Sequence, residues 1–443
     1  MCDTLRKDII DLYGGEARMP NLRKLAKDSM VYDNCIAPSP WTFPSHVSLF
    51  TGLYPSEHGI HETKDVKVEG LTDWHMKLDV ERLPEQLRAL GYNTLALSNN
   101  LMISRFTGFD RGFNLFLNLE PSPWSRNRVV REAKMLGSDI VQVAKELIRQ
   151  RRHGEIIKFG SEYIRARALA KAIRYPVDKG AELTNSIIMD MKLSDKFFLF
   201  VNYYEAHDPY VGFSDKENQD NFTGVRPYRE RRIAALKHQY VLEAEYLDRH
   251  IGDLIEMLKN RGLYDDTMII ITSDHGQAFN EHGFMYHGIY LYDELSRIPL
   301  IVKYPGSRKF KRREGYQSLV NIPDLIHDVI GSGDDSRLTT RTAFSEAYGN
   351  TDRPPASYKH RMGYVNGKYE KSRKALYRDG YKLTVNGTDG SIEEFMHGNK
   401  DILEQGRNDK YVLKEMLGII DGFKGGESFR MPRTRKSVSD EKR

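Results

Sequence analysis

Apolar residues occur along this chain in two patterns. Phe197, Phe198, Leu199, Phe200 and Val201 form one unbroken apolar run, and Met268, Ile269, Ile270 and Ile271 form another ahead of Thr272 and Ser273. Runs of that length suit strands buried on both faces of a parallel sheet. Between them the spacing turns helical. The segment from Lys237 to Asp248 begins an amphipathic helix that continues through Ile251, Leu254, Ile255 and Leu258 toward Gly262, a helix stop. A second helix is expected after Pro44. After about Thr340 the runs become short and strand-like, as in Tyr381 to Val385, and Asn386-Gly387 there is a hairpin signal. From about Lys424 the chain is rich in charge, Gly, Ser and Pro, which predicts a disordered tail over 424–443.

Composition changes this picture only in places. With 443 residues, 40% hydrophobic and 29% charged, the chain can build a large core and a smaller lobe. Cys2 and Cys35 are its only cysteines, which suggests neither a disulfide framework nor a Cys-rich zinc site and fits a reducing compartment. There is no cleavable signal and no apolar stretch long enough to span a bilayer. The chain as written therefore reads as cytoplasmic, and a signal or anchor upstream of Met1 would change that.

The net charge of +5 is modest, and no nucleic-acid partner is expected. Its distribution matters more. Basic residues from Arg126 to Arg174 share one region with Ile140, Val141, Val143, Ala144 and Leu147, which recur at helical spacing. Residues 114–190 are accordingly expected to form a helical basic cap inserted into the core, able to draw anionic substrates or membrane lipid headgroups. The competing reading of the same charges is a solvated helix face.

Two constellations carry chemistry. Asp274-His275-Gly276 follows the second apolar run, so a carboxylate and an imidazole arrive together at a strand's end, where open sheets bind ligands. His282 and His287 follow in the same loop, and together these side chains suit a divalent metal. Far upstream, Pro40-Trp41-Thr42-Phe43-Pro44-Ser45-His46 opens a helix. A hydroxyl at a helix N-terminus sees unpaired N–H groups and the positive end of the dipole, a site for a tetrahedral oxyanion. Thr42 is thus a candidate nucleophile, and a capping turn is the plainer alternative.

Together these segments resemble the sulfatase family of the alkaline phosphatase superfamily. Thr42-Phe43-Pro44-Ser45-His46 leading to Thr51-Gly52-Leu53-Tyr54-Pro55 is similar to the family's nucleophile turn and its helix. Asp3-Thr4-Leu5-Arg6 looks like its first metal-binding turn, and Thr272 to Gly276 its second. Residues 375–383 resemble the strand pair of its C-terminal subdomain. The resemblance implies an alkaline-phosphatase-like α/β/α sandwich over 1–340 with a smaller C-terminal sheet subdomain over 341–423. It implies a divalent metal (Ca, Mn, Mg or Zn) on Asp3, Asp274 and His275 with Thr42 completing the shell, and an anionic ester as substrate. It also implies that His207, in a His-x-Pro-Tyr loop, contacts the tetrahedral group or protonates the leaving oxygen. His287 stands where sulfatases carry a Lys, a position similar to the phosphoethanolamine-transferase branch. His282 fits a loop-ordering role as well as a catalytic one.

Departures from the family pattern shape the expected chemistry. Thr cannot be matured to formylglycine as Cys or Ser can, so Thr42 would attack directly. His46 replaces the motif's Arg, and Asn99-Asn100 stands where a Lys-Trp-His segment is usual. With both cationic clamps absent, Asn99, Asn100 and His46 become the candidate substrate-binding residues. Only Met1 and Cys2 precede Asp3, so the strand that should deliver it is missing and Asp3 is expected on a frayed edge. The expected function is metal-dependent cleavage or transfer of a phosphate ester. Sulfate ester hydrolysis and a non-catalytic binding role are the alternatives.

Overall fold

The computed structural model describes residues 1–61, 78–119, 178–208, 229–307, 309–331, 338–349, 371–403 and 409–423, with Arg149, Gly154, Pro176 and Tyr210. Most of the expected basic cap and the whole expected tail lie outside the described residues. The ends of the proposed insertion belong to the core instead. Leu115–Asn118 is a strand of the main sheet, and Ala181–Asp190 is a helix whose Ala181 and Ile188 are buried in the core.

The main sheet has two halves. One has the order β3 (Leu115–Asn118), β2 (Asn93–Ser98), β4 (Phe197–Asn202), all parallel. The other has the order β5 (Ile269–Thr272), β8 (Arg297–Lys303), β1 (Met30–Ile36), β9 (Lys311–Ser318), in which only β8 runs against its neighbours, and the short ribbon of β6 (Ala278–Phe279) and β7 (Met285–Tyr286) lies between β5 and β8 in the chain. The first residues of the chain join the halves. Met1 donates its amino group to Val201 at 2.8 Å, Asp3 N–H donates to the Tyr203 carbonyl at 3.0 Å, and Cys2 N–H reaches the Thr272 carbonyl at 2.8 Å on the other side. Asp3 is therefore not frayed: it is fully buried and held on both sides.

Side chains alternate across this sheet as the pleat requires. Val31, Leu97 and Ile301 face one cluster, which includes α1 (Pro20–Ala26) and the helices Ala181–Asp190 and Glu230–Asn260. Tyr32, Ala96, Phe200, Leu300 and Val302 face the other, with α2 (Thr42–Thr51) and the helices Leu83–Ala89 and Ile322–Gly331. Helices on both faces make this the expected three-layered α/β/α sandwich. The expected amphipathic helix runs over Glu230–Asn260 and stops before Gly262, whose φ is +69°.

The chain then forms a five-stranded antiparallel sheet in sequence order: β10 (Thr342–Ala347), β11 (Arg373–Arg378), β12 (Tyr381–Asn386), β13 (Ile392–His397) and β14 (Lys400–Asp401). The tight hairpin is at Asp379-Gly380, where both φ values are positive, as a mirror-type two-residue turn demands. Asn386-Gly387 instead opens the longer return to β13. The helix Lys410–Gly422 packs on this sheet through Met416 and Ile420. Lys382, buried, ties the sheet to the core by pairing with Asp293 at 3.3 Å, and it pairs with Glu394 of β13 at 2.9 Å.

Candidate metal and nucleophile site

The strands deliver their loops to one edge of the sheet. β2 and β4 are parallel, Met1–Asp3 continues that sense, and Asn99-Asn100, His207 and Asp3 all follow carboxyl ends. β1 and β5 both run against β8, so Thr42 and Asp274 also follow carboxyl ends. Each turn is then fixed locally. Thr4, at a φ of +57°, aims its N–H at Asp274 Oδ1 at 3.1 Å, and Tyr240 pins that turn by donating to the Thr4 carbonyl at 2.7 Å. Gly276 has no room for a side chain, since a Cβ there would lie 1.9 Å from the Glu294 carbonyl oxygen.

Asp3, Asp274 and His275 converge. Their ligand atoms lie within 4.8 Å of one another, and all three are fully buried. Thr42 joins them at the first turn of α2, its Oγ1 3.2 Å from His275 Nε2. His275 Nδ1 donates to the Gly276 carbonyl at 2.8 Å, so Nε2 carries a lone pair and the Thr42 hydroxyl is the donor. Ser45 braces the helix against the same turn by donating to the Asp274 carbonyl at 2.7 Å.

The electrostatics of this cluster call for a cation. Asp3 Oδ1 and Asp274 Oδ2 are buried with no hydrogen-bond partner. Such orphaned carboxylate oxygens are costly in a dry site unless a positive charge meets them. Burial pushes the Asp3 carboxyl well up, and the neighbouring Asp274 adds to the shift. Burial also opposes charge on Asp274, but the His275 and His46 rings and the N–H groups of Thr4 and His275 hold its carboxyl below the usual range. Burial keeps His275, His46 and His287 below the ordinary imidazole range, so all three are neutral near pH 7. Two carboxylates and a neutral imidazole whose Nε2 lone pair faces the cluster fit a divalent metal.

The other candidate residues divide. His287 faces the cluster, its ring centroid 4.5 Å from that of His275 and 5.1 Å from that of His207. Asn100 does not stand open to a substrate: it donates to Asp3 Oδ2 at 2.7 Å and so supports a ligand. Asn99 is committed elsewhere, accepting from Thr184 at 2.8 Å and donating to the Lys179 carbonyl. His46 is fully buried between the edges of Phe109 and Phe200, 3.6 Å from Asp274 Oδ2, which places it beneath the cluster rather than at its opening. His282 is half-exposed, stacks on Tyr292 and pairs with Glu294 at 3.3 Å, a loop-ordering position.

Four residues that the sequence did not single out complete the surroundings. Gln277 accepts from His287 Nδ1 at 2.6 Å. Arg6, almost fully buried, pairs with Asp8 and Glu281 and donates to the Gln277 carbonyl at 3.0 Å, fixing the loop that carries His287. Lys179 donates Nζ to the carbonyls of Glu205 and His207, at 2.5 and 2.7 Å. Asp208 lies beside His207, its Oδ1 3.2 Å from Nδ1. Its adjacency to His207 was the available signal, as was the place of Arg6 at the end of the Asp3-to-Arg6 turn; Lys179 belongs to no motif that would have marked it.

A family model described as Sulfatase matches residues 1–332. Among curated proteins the chain is similar to an N-acetylglucosamine-6-O-sulfatase of Bacteroides thetaiotaomicron, 23% identical over 70% of this chain and 62% of that one. It is also similar to a choline-sulfatase of Rhizobium meliloti, 24% identical over 65% of this chain and 58% of the relative. The chain thus spans only about three fifths of the length of such relatives. Among solved structures, a phosphonate monoester hydrolase from Silicibacter pomeroyi superposes with a TM-score of 0.64 at 18% identity, covering 96% of this chain and 94% of the other. That likeness is one of fold.

Proposed function

The chain belongs to the sulfatase family, and from that premise we propose that it is a metal-dependent hydrolase or transferase acting on phosphate esters through Thr42. The observation that carries this reading is the approach of Thr42 Oγ1 to His275 Nε2 at 3.2 Å beside two orphaned carboxylate oxygens. Asp3, Asp274, His275 and Thr42 would hold the ion. Two carboxylates with an imidazole suit Mn or Zn better than Ca, which prefers oxygen ligands. A bound divalent ion supplies Lewis acidity, lowering the pKa of a coordinated hydroxyl and offsetting charge on a tetrahedral group.

The residues do the rest. Thr42 sits at the N-terminus of α2, where the helix dipole favours an anion. As the bond from Thr42 Oγ1 to phosphorus forms, the hydroxyl proton is lost to solvent, the bond to the ester oxygen breaks, and that oxygen takes a proton from His207. Water or an acceptor alcohol then releases the phosphoryl group from Thr42. His287, its Nδ1 donating to Gln277, presents Nε2 to the same space.

A second reading, sulfuric ester hydrolysis, is favoured by the names of the curated relatives. Against it stands the chemistry of Thr42: its Cβ carries a methyl group, so oxidation would give a ketone rather than the aldehyde of formylglycine. The anionic-ester substrate class is common to both readings. A lipid headgroup as substrate rests on the basic residues from Arg126 to Arg174, of which all but Arg149 lie outside the described residues. The test is turnover of aryl phosphate, phosphodiester, phosphonate and sulfate substrates with Mn, Zn, Mg and Ca in turn. Phosphate or phosphonate ester cleavage exceeding sulfate cleavage is expected, and a strict preference for sulfate would overturn the phosphoryl reading.

A further inference from the structure

We propose that Tyr240 is a positioning residue of the site, its hydroxyl holding the backbone turn that brings Asp3 and Asp274 together. The proposal rests on the reading of the Asp3, Asp274 and His275 site given above and extends it. Leu236, Tyr240, Ala244 and Leu247 recur at helical spacing and are buried along one face of the helix Glu230–Asn260. That face sets the Tyr240 side chain, fully buried, against the turn that follows Asp3. Its hydroxyl donates to the Thr4 carbonyl and accepts from the Arg6 N–H, both at 2.7 Å.

Thr4 needs that support. Its φ of +57° is left-handed, a conformation in which a β-branched residue is strained and which persists only where the surroundings fix it. In that conformation the Thr4 N–H donates to Asp274 Oδ1 at 3.1 Å, which ties the turn carrying Asp3 to the second carboxylate. The Thr4 hydroxyl is buried with no hydrogen-bond partner, so its own side chain does not hold the turn by such a bond. Tyr240 is in turn held by rings from the other loops of the site. Phe279, between Asp274 and His287 in the chain, lies 5.0 Å from it centroid to centroid, and Tyr210, from the loop of His207, meets it edge-on at 6.2 Å. Tyr210 also donates to the Ala206 carbonyl at 2.9 Å, beside His207. One helix side chain thus touches the turn after Asp3 and the loops of His207 and His287. The competing account is a core tyrosine whose hydroxyl only satisfies two backbone groups.

Metal affinity separates the two without any turnover. The full-length protein, stripped of metal and titrated with Mn2+ by calorimetry, is expected to bind about tenfold more weakly after Tyr240→Phe, which keeps the ring and removes only the hydroxyl. Glycine adopts a positive φ without strain, so in a Thr4→Gly background the same change should cost about threefold or less. A tyrosine that only stabilises the core would lower the melting temperature of Tyr240→Phe and leave its Mn2+ affinity unchanged, a result that would overturn the proposal. An equal loss of affinity in both backgrounds would also overturn it, because the hydroxyl would then act by a route other than the turn. Asp274→Asn tests the metal site separately: Mn2+ binding unchanged by that substitution would refute the underlying reading instead.

Discussion

Lys179 Nζ donates to the carbonyl oxygen of His207 at 2.7 Å, so a buried ammonium holds the backbone of a candidate proton donor. The same nitrogen reaches the Glu205 carbonyl and lies 3.8 Å from Glu243. Lys179→Met keeps much of the volume and removes these bonds. Leaving buried carbonyls unpaired should cost about 1–3 kcal/mol of stability. If Lys179 positions His207, kcat/KM should also fall about tenfold for esters with poor leaving groups and much less for good ones, which need no protonation. A uniform loss across leaving groups would reduce Lys179 to a purely structural role.

Glu205 supplies a pH dependence of stability. Burial, with Asp178 adding to it, raises its carboxyl to about 7. The folded state therefore binds more protons than the unfolded state between the ordinary carboxylate value and 7, so stability falls as pH rises through that window. Thermal melts should show the midpoint declining from about pH 5 to 7.5, and Glu205→Gln should flatten that slope. An unchanged slope in the variant would assign it to other groups.

Metal affinity should depend on pH in the opposite sense. With the Asp3 carboxyl pushed up by burial and by Asp274, it retains a proton that a cation must displace. Affinity should therefore rise with pH until Asp3 ionises unaided and fall on acidification. Calorimetry in two buffers of different ionisation heat should report proton release on Mn2+ binding. Asp3→Asn should abolish that release and weaken binding, whereas equal heats in both buffers for the unsubstituted protein would contradict it.

Much of this arrangement was legible in the sequence because it depends on local order. The apolar runs before Asn202 and Asp274 became β4 and β5, the helix before Gly262 formed, and Thr42 opened a helix. Those elements bring Thr42, Asp274 and His275 together wherever the sheet closes. What stayed hidden depends on partners distant in the chain. Asn99 and Asn100 read as substrate contacts because a sequence does not reveal Thr184 and Asp3 as their partners. Asp3 read as frayed because two preceding residues look too few to make a strand. Four bonds to the backbone of Val201, Tyr203 and Thr272 nonetheless hold Met1–Asp3 in place. Residues 115–118 read as cap because the helical pattern after them dominated the window, yet they pair with β2.

The central claim is that Thr42 itself takes the transferred group. Quenching the metal-loaded protein during turnover of a slow aryl phosphate and digesting it should yield the peptide containing Thr42 heavier by one phosphoryl group. Thr42→Ala should show neither the adduct nor turnover while keeping its fold, and Thr42→Ser should retain some of both. Full turnover in Thr42→Ala, with no adduct in either protein, would contradict the account and leave an attacking water or a different site as the nucleophile.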